Sequence, residues 1–203
     1  MDDFKTAGNA VHGARRVWVP LAVVGVLFAL TAVEGLLGRA LPDGEALAAG
    51  TVIEFGSEEQ VSAQVGEGWT LDETASDLGS GLTLTRGQVT VRLSSVVFSA
   101  GRPDGVREMW DGMRRALEVE EYAGTDVWLG EPTGFDTRSV SGGLYGSLQI
   151  GTAIGTAFVL PGPDGDEAVE AKVLGPFDAD QADWDAATSI IDSVAFEDGG
   201  ERA

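Results

Sequence analysis

The pattern of apolar and polar positions divides most of the chain into two strand-rich stretches, each followed by a helix. Val61, Ala63 and Val65 alternate with polar neighbours, and Trp69 and Leu71 follow a Gly-Glu-Gly turn. Leu82, Leu84, Val89, Val91 and Leu93 keep a period of two on either side of Arg86-Gly87-Gln88, which reads as a hairpin. The phase then changes, because Val96 and Phe98 fall on the opposite parity from Leu93, and this predicts a bulge near Ser94-Ser95. Val106, Met109, Trp110, Met113, Ala116 and Leu117 recur at helical spacing and leave Arg107, Arg114, Arg115 and Glu118 largely between them. A second set of alternations follows: Leu144, Leu148 and Ile150, the apolar run from Ile154 to Leu160, then Val169, Ala171 and Val173 after the turn Pro161-Gly162-Pro163-Asp164-Gly165. The last element reads as a helix with Trp184, Ala187, Ile191 and Val194 on its apolar stripe and Asp178 and Gln181 as a capping pair. This order, with short connections, predicts an α+β fold: an antiparallel β-sheet packed on one side by helices.

The N-terminal region has a different pattern. From Val17 to Leu37 the chain is a predominantly apolar run with a single charge, Glu34. As a helix this segment would be about 31 Å long, enough to cross a hydrocarbon core of about 30 Å. Pro20 lies in its first turn, where a missing N–H costs least. Lys5, Arg15 and Arg16 precede the segment, and Arg39 beside Asp43 and Glu45 follows it. The positive-inside bias then places residues 1–16 in the cytoplasm, residues 17–37 across the membrane and the remainder outside. The same residues also fit a cleavable secretory signal ending at Gly38-Arg39-Ala40, although the apolar run is longer than such signals need. Gly25 and Ala29 form a small-xxx-small pair that would let two spans approach closely. Residues 38–50 read as a linker, 51–198 as the folded domain and 199–203 as a flexible tail.

Charge sharpens this division. The chain has 33 acidic and 13 basic residues, a net charge of −20. Residues 1–40 contribute four basic and three acidic side chains, and residues 41–203 contribute nine and thirty. The acidity therefore belongs to the predicted outer domain, which disfavours binding to nucleic acid or anionic lipid and favours cations and basic partners. Strong net charge also simply keeps an exported domain soluble. With no cysteine, thiolate catalysis, disulfides, Cys-ligated metal and lipid attachment at a Cys are all excluded.

Catalytic chemistry has little to stand on. His12, the only histidine, falls in the predicted cytoplasmic tail, so the domain has no Ser-His-Asp triad or histidine metal ligand under this topology. Lys172 is the only lysine of the domain and sits in an alternating stretch, as a solvated strand lysine does. No nucleotide-binding or nucleophile-elbow motif is present. Asp164, Asp166 and Glu167 invite a calcium reading but lack the spacing of a calcium loop. Asp178, Asp180, Asp183 and Asp185 suit the positive end of a helix. Thirty acids make chance carboxylate pairs inevitable, so a glycosidase-like pair gains no support from them. The expectation is no enzyme, no cofactor and no metal. Trp110 and Trp184 fall on apolar helix faces, which leaves Trp69 and especially Trp128, in DVWLGEPTGF, as candidates for an exposed recognition surface.

Three stretches carry a resemblance to a known superfamily. Val61 to Trp69 (VSAQVGEGW), Gly142-Gly143-Leu144-Tyr145-Gly146, and the closing run from Gly175-Pro176 to Ile190-Ile191-Asp192-Ser193-Val194-Ala195-Phe196 resemble the PsbP-like domains of small exported bacterial lipoproteins and single-span membrane proteins. The likeness would cover nearly all of residues 51–198. It implies an accessory or binding module with a protein partner and transfers no catalytic residue. The chain departs from the lipoprotein members in lacking an acylated cysteine. The expected protein is thus a single-pass cell-membrane protein with a non-catalytic, acidic extracytoplasmic binding domain. The alternative is an extracytoplasmic sensor for a cation or small ligand.

Overall fold

The computed structural model describes residues 44–98, 105–122 and 124–197, all of them in a unit that begins at Asp43. The predicted span Val17–Leu37, the tail before it with Arg15 and Arg16, and the tail 199–203 lie outside the described residues. No helix among the described residues is long and apolar enough to cross a membrane.

The elements in chain order are β1 (Glu45–Ala46), β2 (Val52–Phe55), β3 (Val61–Gln64), β4 (Thr70–Leu71), β5 (Gly81–Arg86), β6 (Val89–Val97), α1 (Val106–Tyr122), β7 (Val127–Leu129), β8 (Thr133–Phe135), β9 (Gly143–Ile150), β10 (Ala153–Pro161), β11 (Glu167–Gly175), α2 (Gln181–Ser193) and β12 (Ala195–Phe196). The large sheet runs β1-β4-β5-β6-β11-β10-β9-β7, with β8 also on β9, and a small sheet runs β12-β3-β2. All pairings are antiparallel. The two predicted meanders join where β6 meets β11. Two-residue turns close the tight hairpins, with Gly87 at φ 56° and Gly151 at φ 58° supplying the left-handed position that β-branched residues avoid.

The helices lie on opposite faces of the sheet, which corrects the expectation of helices on one side. Met109, Trp110, Met113 and Leu117 of α1 pack with Leu144, Leu148, Ala157, Val159 and Ala168. The strand residues next to these in sequence, Leu160, Val169, Ala171 and Val173, point the other way. There they join Leu82, Leu84, Val89, Val91 and Leu93 beneath Ala187, Ile190 and Ile191 of α2 and Phe55, Val61 and Ala63 of the small sheet. Period-two alternation lets one sheet feed two cores.

This arrangement explains the phase change after Leu93 without a bulge. Pairing of β6 with β11 is unbroken from Thr90–Leu174 to Val97–Glu167. Leu93 belongs to the α2 core, whereas Phe98 packs on the α1 core. The apolar parity switches because the strand passes from one core to the other.

Part of the predicted linker is built into the fold. Glu45 and Ala46 pair with Leu71 and Thr70, the Leu47 N–H donates to the Trp69 carbonyl at 2.9 Å, and the Gly50 N–H donates to the Val65 carbonyl at 2.8 Å. At the other end β12 pairs with β3, so both ends of the domain are fastened.

The capping residue of α2 is Asp180, in place of the predicted Asp178. Its Oδ1 accepts from the Ala182 N–H at 2.9 Å. Gln181 instead donates from Nε2 to Asp185 Oδ1 at 2.8 Å, one turn along the helix. Asp183, also in the first turn, pairs with Arg86 at the β5–β6 turn (Nε to Oδ1, 3.0 Å) and lies directly over Gly87. A side chain at residue 87 would meet that carboxylate. Asp180→Ala should therefore lower unfolding stability by about 1 kcal/mol, whereas Asp178→Ala should change it by less than about 0.5 kcal/mol. Urea midpoints of the two variants check the assignment.

Candidate functional site

Strand β9 shows where the sheet is uncovered. Leu144, Gly146 and Leu148 are buried on the α1 side, whereas Tyr145, Ser147 and Gln149, on the opposite side, are exposed. Helix α2 packs mainly over β3 and β6, which leaves the outward row of β9 open next to its first turn. An open groove of about 460 Å³ results, lined by Trp128 from β7, Ser147 and Gln149 from β9, Ile154 and Thr156 from β10, and Gln181 and Trp184 from α2. That volume falls in the range of small-ligand sites.

Two tryptophans wall the groove, and each is seated beside a glycine. A Cβ at Gly130 would lie 3.2 Å from the Trp128 ring, and one at Gly175 would lie 3.1 Å from the Trp184 ring. These glycines leave space that the indoles fill, which limits how the rings can turn. Trp128 is 58% exposed and Trp184 is half-buried. Gly175 pairs with Ile154 of the groove, and two residues further on Phe177 is 89% exposed. Farther along the same face, Tyr145 and Phe158 stack at 6.3 Å between centroids, and Phe135 meets both edge-on at 5.7 and 5.5 Å. Exposed large aromatics on one sheet face have the composition of a recognition surface.

The polar groups of the groove are neutral. Gln149 Nε2 donates to the Gly151 carbonyl at 3.0 Å, and the bond from Gln181 to Asp185 fixes the other amide. Among the described residues, no Asp, Glu, His, Lys or Arg lines the groove beside Ser147 and Thr156. The arrangement can stack on a flat or apolar group and exchange hydrogen bonds with amides or hydroxyls. Among the described residues no group of three or more His, Asp or Glu side chains converges to hold a metal ion.

Of the two tryptophans that are candidates for an exposed surface, with core packing as the alternative, Trp128 is exposed and Trp69 is in the core. Trp69 is fully buried with Phe55, Leu82 and Leu84 in the α2 core, because the turn before it delivers it to the inward parity shared with the β5 residues. Its indole N–H and that of Trp110 have no hydrogen-bond partner among the described residues. Trp184, expected on a buried stripe, packs partly buried against the α2 core and also lines the groove, while Ala187, Ile190 and Ile191 are fully buried. Its access to the groove from the start of the helix is a tertiary feature that helical spacing does not show. Lys172 lies on the α1 side of β11, opposite Arg92 and Ala157.

Away from the groove, two carboxyls hold their protons more tightly than an ordinary glutamate. Burial raises Glu170, and attraction to Lys172 only partly offsets it. Burial also raises Glu167, with repulsion from Asp166 and Asp164 adding to the effect. The turn at residues 164–167, whose spacing is not that of a calcium loop, thus brings its acids into mutual repulsion.

No family model and no curated protein sequence matches the chain. Its fold is that of a PsbP-like domain. The solution structure of cyanobacterial PsbP (CyanoP) from Synechocystis sp. PCC 6803 superposes with a TM-score of 0.53 at 7% identity, covering 77% of this chain and 99% of that one. The Ran-binding protein Mog1p of Saccharomyces cerevisiae superposes with a TM-score of 0.46 at 10% identity, covering 74% of this chain and 97% of that one.

The raised Glu170 has a testable consequence. A carboxyl whose folded-state affinity for protons exceeds its unfolded one stabilises the fold while protonated. That contribution is lost as pH rises from the ordinary value of 4.5 through the raised folded value. Relative to wild type, Glu170→Gln should therefore gain stability between about pH 4 and about pH 7, as read from urea midpoints. A constant difference across that range would contradict it.

Proposed function

We propose that the chain is a single-pass membrane protein whose acidic domain acts outside the membrane as a non-catalytic accessory module, holding a protein partner in the groove between Trp128 and Trp184. The observation that carries this reading is the groove itself: two seated tryptophans and fixed amides, with no ionisable group in the lining. Such a surface supplies contact area and hydrogen bonds without the acid, base or nucleophile that catalysis requires. The PsbP-like fold supports it, since one such domain, CyanoP, spans the same architecture nearly end to end.

Membrane attachment rests on the apolar run Val17–Leu37 and on Arg15 and Arg16 before it. β1, where the chain enters the fold, forms one edge of the large sheet, and β7 with Trp128 forms the other. Seven strand spacings of about 4.8 Å separate them, roughly 34 Å across the sheet. A small-ligand sensor is the second reading, favoured by the volume of the groove.

Purification of the tagged full-length chain from its own membranes in mild detergent, with mass spectrometry of what accompanies it, tests the proposal. A stoichiometric protein partner should be retained by wild type and lost with Trp128→Ala, whose exposed side chain contributes little to folding. A solitary wild-type protein, or a partner held equally by the variant, would contradict the groove as the docking site.

A further inference from the structure

Resting on the groove as a docking site, we infer that its occupant is an extended protein segment carrying arginine, with a guanidinium stacked on the tryptophans. The argument is charge complementarity around an uncharged, aromatic lining. Asp126 directly precedes β7, and its carbonyl accepts from the Gly151 N–H at the β9–β10 turn, which places it at the groove end of the sheet. Asp178 lies in the loop that brings α2 to the groove, and Asp185 holds the Gln181 amide. All three are exposed.

No lysine or arginine occurs in β7, β9 or β10, or from Pro176 to Ser193. Asp183, the partly buried acid of this helix start, is paired with Arg86. The three exposed carboxylates lie on or next to the elements that build the groove, and those elements carry no lysine or arginine. An anionic segment would be repelled there, whereas a cationic one is drawn in.

The lining suits arginine better than a compact ammonium. Guanidinium is planar and weakly hydrated and stacks on indole while its edge N–H groups remain available to carboxylates. Trp128, with 58% of its surface exposed, offers a ring for such stacking. The outward row Tyr145, Ser147 and Gln149 matches the two-residue repeat of an extended chain.

The test titrates the full-length protein in detergent with blocked hexapeptides, following tryptophan fluorescence. One peptide carries arginine at two alternate positions, a second has glutamine there and a third glutamate; a neutral glucan oligosaccharide is the fourth probe. The arginine peptide should bind about tenfold or more tightly than the glutamine peptide, and the glutamate peptide should not bind. Trp128→Ala should weaken arginine-peptide binding about tenfold. The double change Asp126→Asn and Asp178→Asn, which leaves the capping Asp180 and the Gln181 partner Asp185 intact, should weaken it several-fold while sparing the glutamine peptide. Rising salt should weaken the arginine peptide selectively.

Equal binding of the glutamine and arginine peptides, both sensitive to Trp128→Ala, would overturn the cationic occupant and leave the docking site standing. Preference for the oligosaccharide would replace the protein segment with a sugar. Arginine-peptide binding that ignores Trp128→Ala would mark diffuse attraction to a −20 chain and overturn the inference. Absence of binding by every probe would overturn it as well, with the docking site itself judged by the co-purification.

Discussion

Three tryptophan rings in this domain lie against positions where the backbone carries no side chain. On one face of the large sheet, Trp110 of α1 lies over Gly146 of β9, where a Cβ would come within 3.0 Å of the ring. On the other face, Trp184 of α2 lies beside Gly175 at the end of β11. Trp128 folds back on Gly130 just beyond β7. A close-packed interior tolerates little overpacking, so the Trp110 and Trp184 contacts limit where the two helices can sit. Placing α1 over β9 and β10, and α2 over β6 with the small sheet, covers the two faces in a staggered way. The uncovered remainder, on the α2 side of β9, is where the groove forms. The site thus follows from how the two cores divide the sheet.

Electrostatics reinforces the same geometry. The start of α2 concentrates Asp178, Asp180, Asp183 and Asp185, and the structure gives three of them distinct work. Asp180 closes the backbone of the first turn, Asp183 ties the helix to the β5–β6 hairpin through Arg86, and Asp185 orients Gln181 at the groove. Favourable interaction with the helix dipole accounts for acids at this position in general, but the individual partners are tertiary. An acidic helix start that first serves packing also leaves negative charge beside an aromatic groove.

Much of this fold is legible in the sequence, because alternation and helical spacing report directly on which side chains are buried. The hairpin through Gly87, the meander from Leu144 to Val173 and both helices follow from those periods. What periodicity cannot show is which face of the sheet a given helix covers. The parity switch between Leu93 and Phe98 was the visible trace of two cores, but a bulge produces the same trace. The short strands β1, β4 and β8 depend on pairing partners and leave no periodic signal of their own. For the site, Trp128 stands out because its segment lacks clean alternation. Trp69 is misleading, since its turn delivers it inward. Trp184 satisfies the helical stripe by packing partly buried against the α2 core and yet also lines the groove, which spacing alone does not show. The glycines that seat the indoles are indistinguishable, in sequence, from the other glycines of a chain that has 29.

The central claim is that the open row of β9 is occupied when the protein is at work. The native chain has no cysteine, so a single thiol can report on that row. Gln149→Cys and, as an exposed reference in the β3–β4 loop, Glu67→Cys can each be modified in native membranes and again after purification in detergent. The account predicts that residue 149 reacts several-fold more slowly in membranes than in the purified protein, while residue 67 reacts at similar rates in both. Equal reactivity of residue 149 in the two settings, with residue 67 unchanged, would contradict an occupied groove.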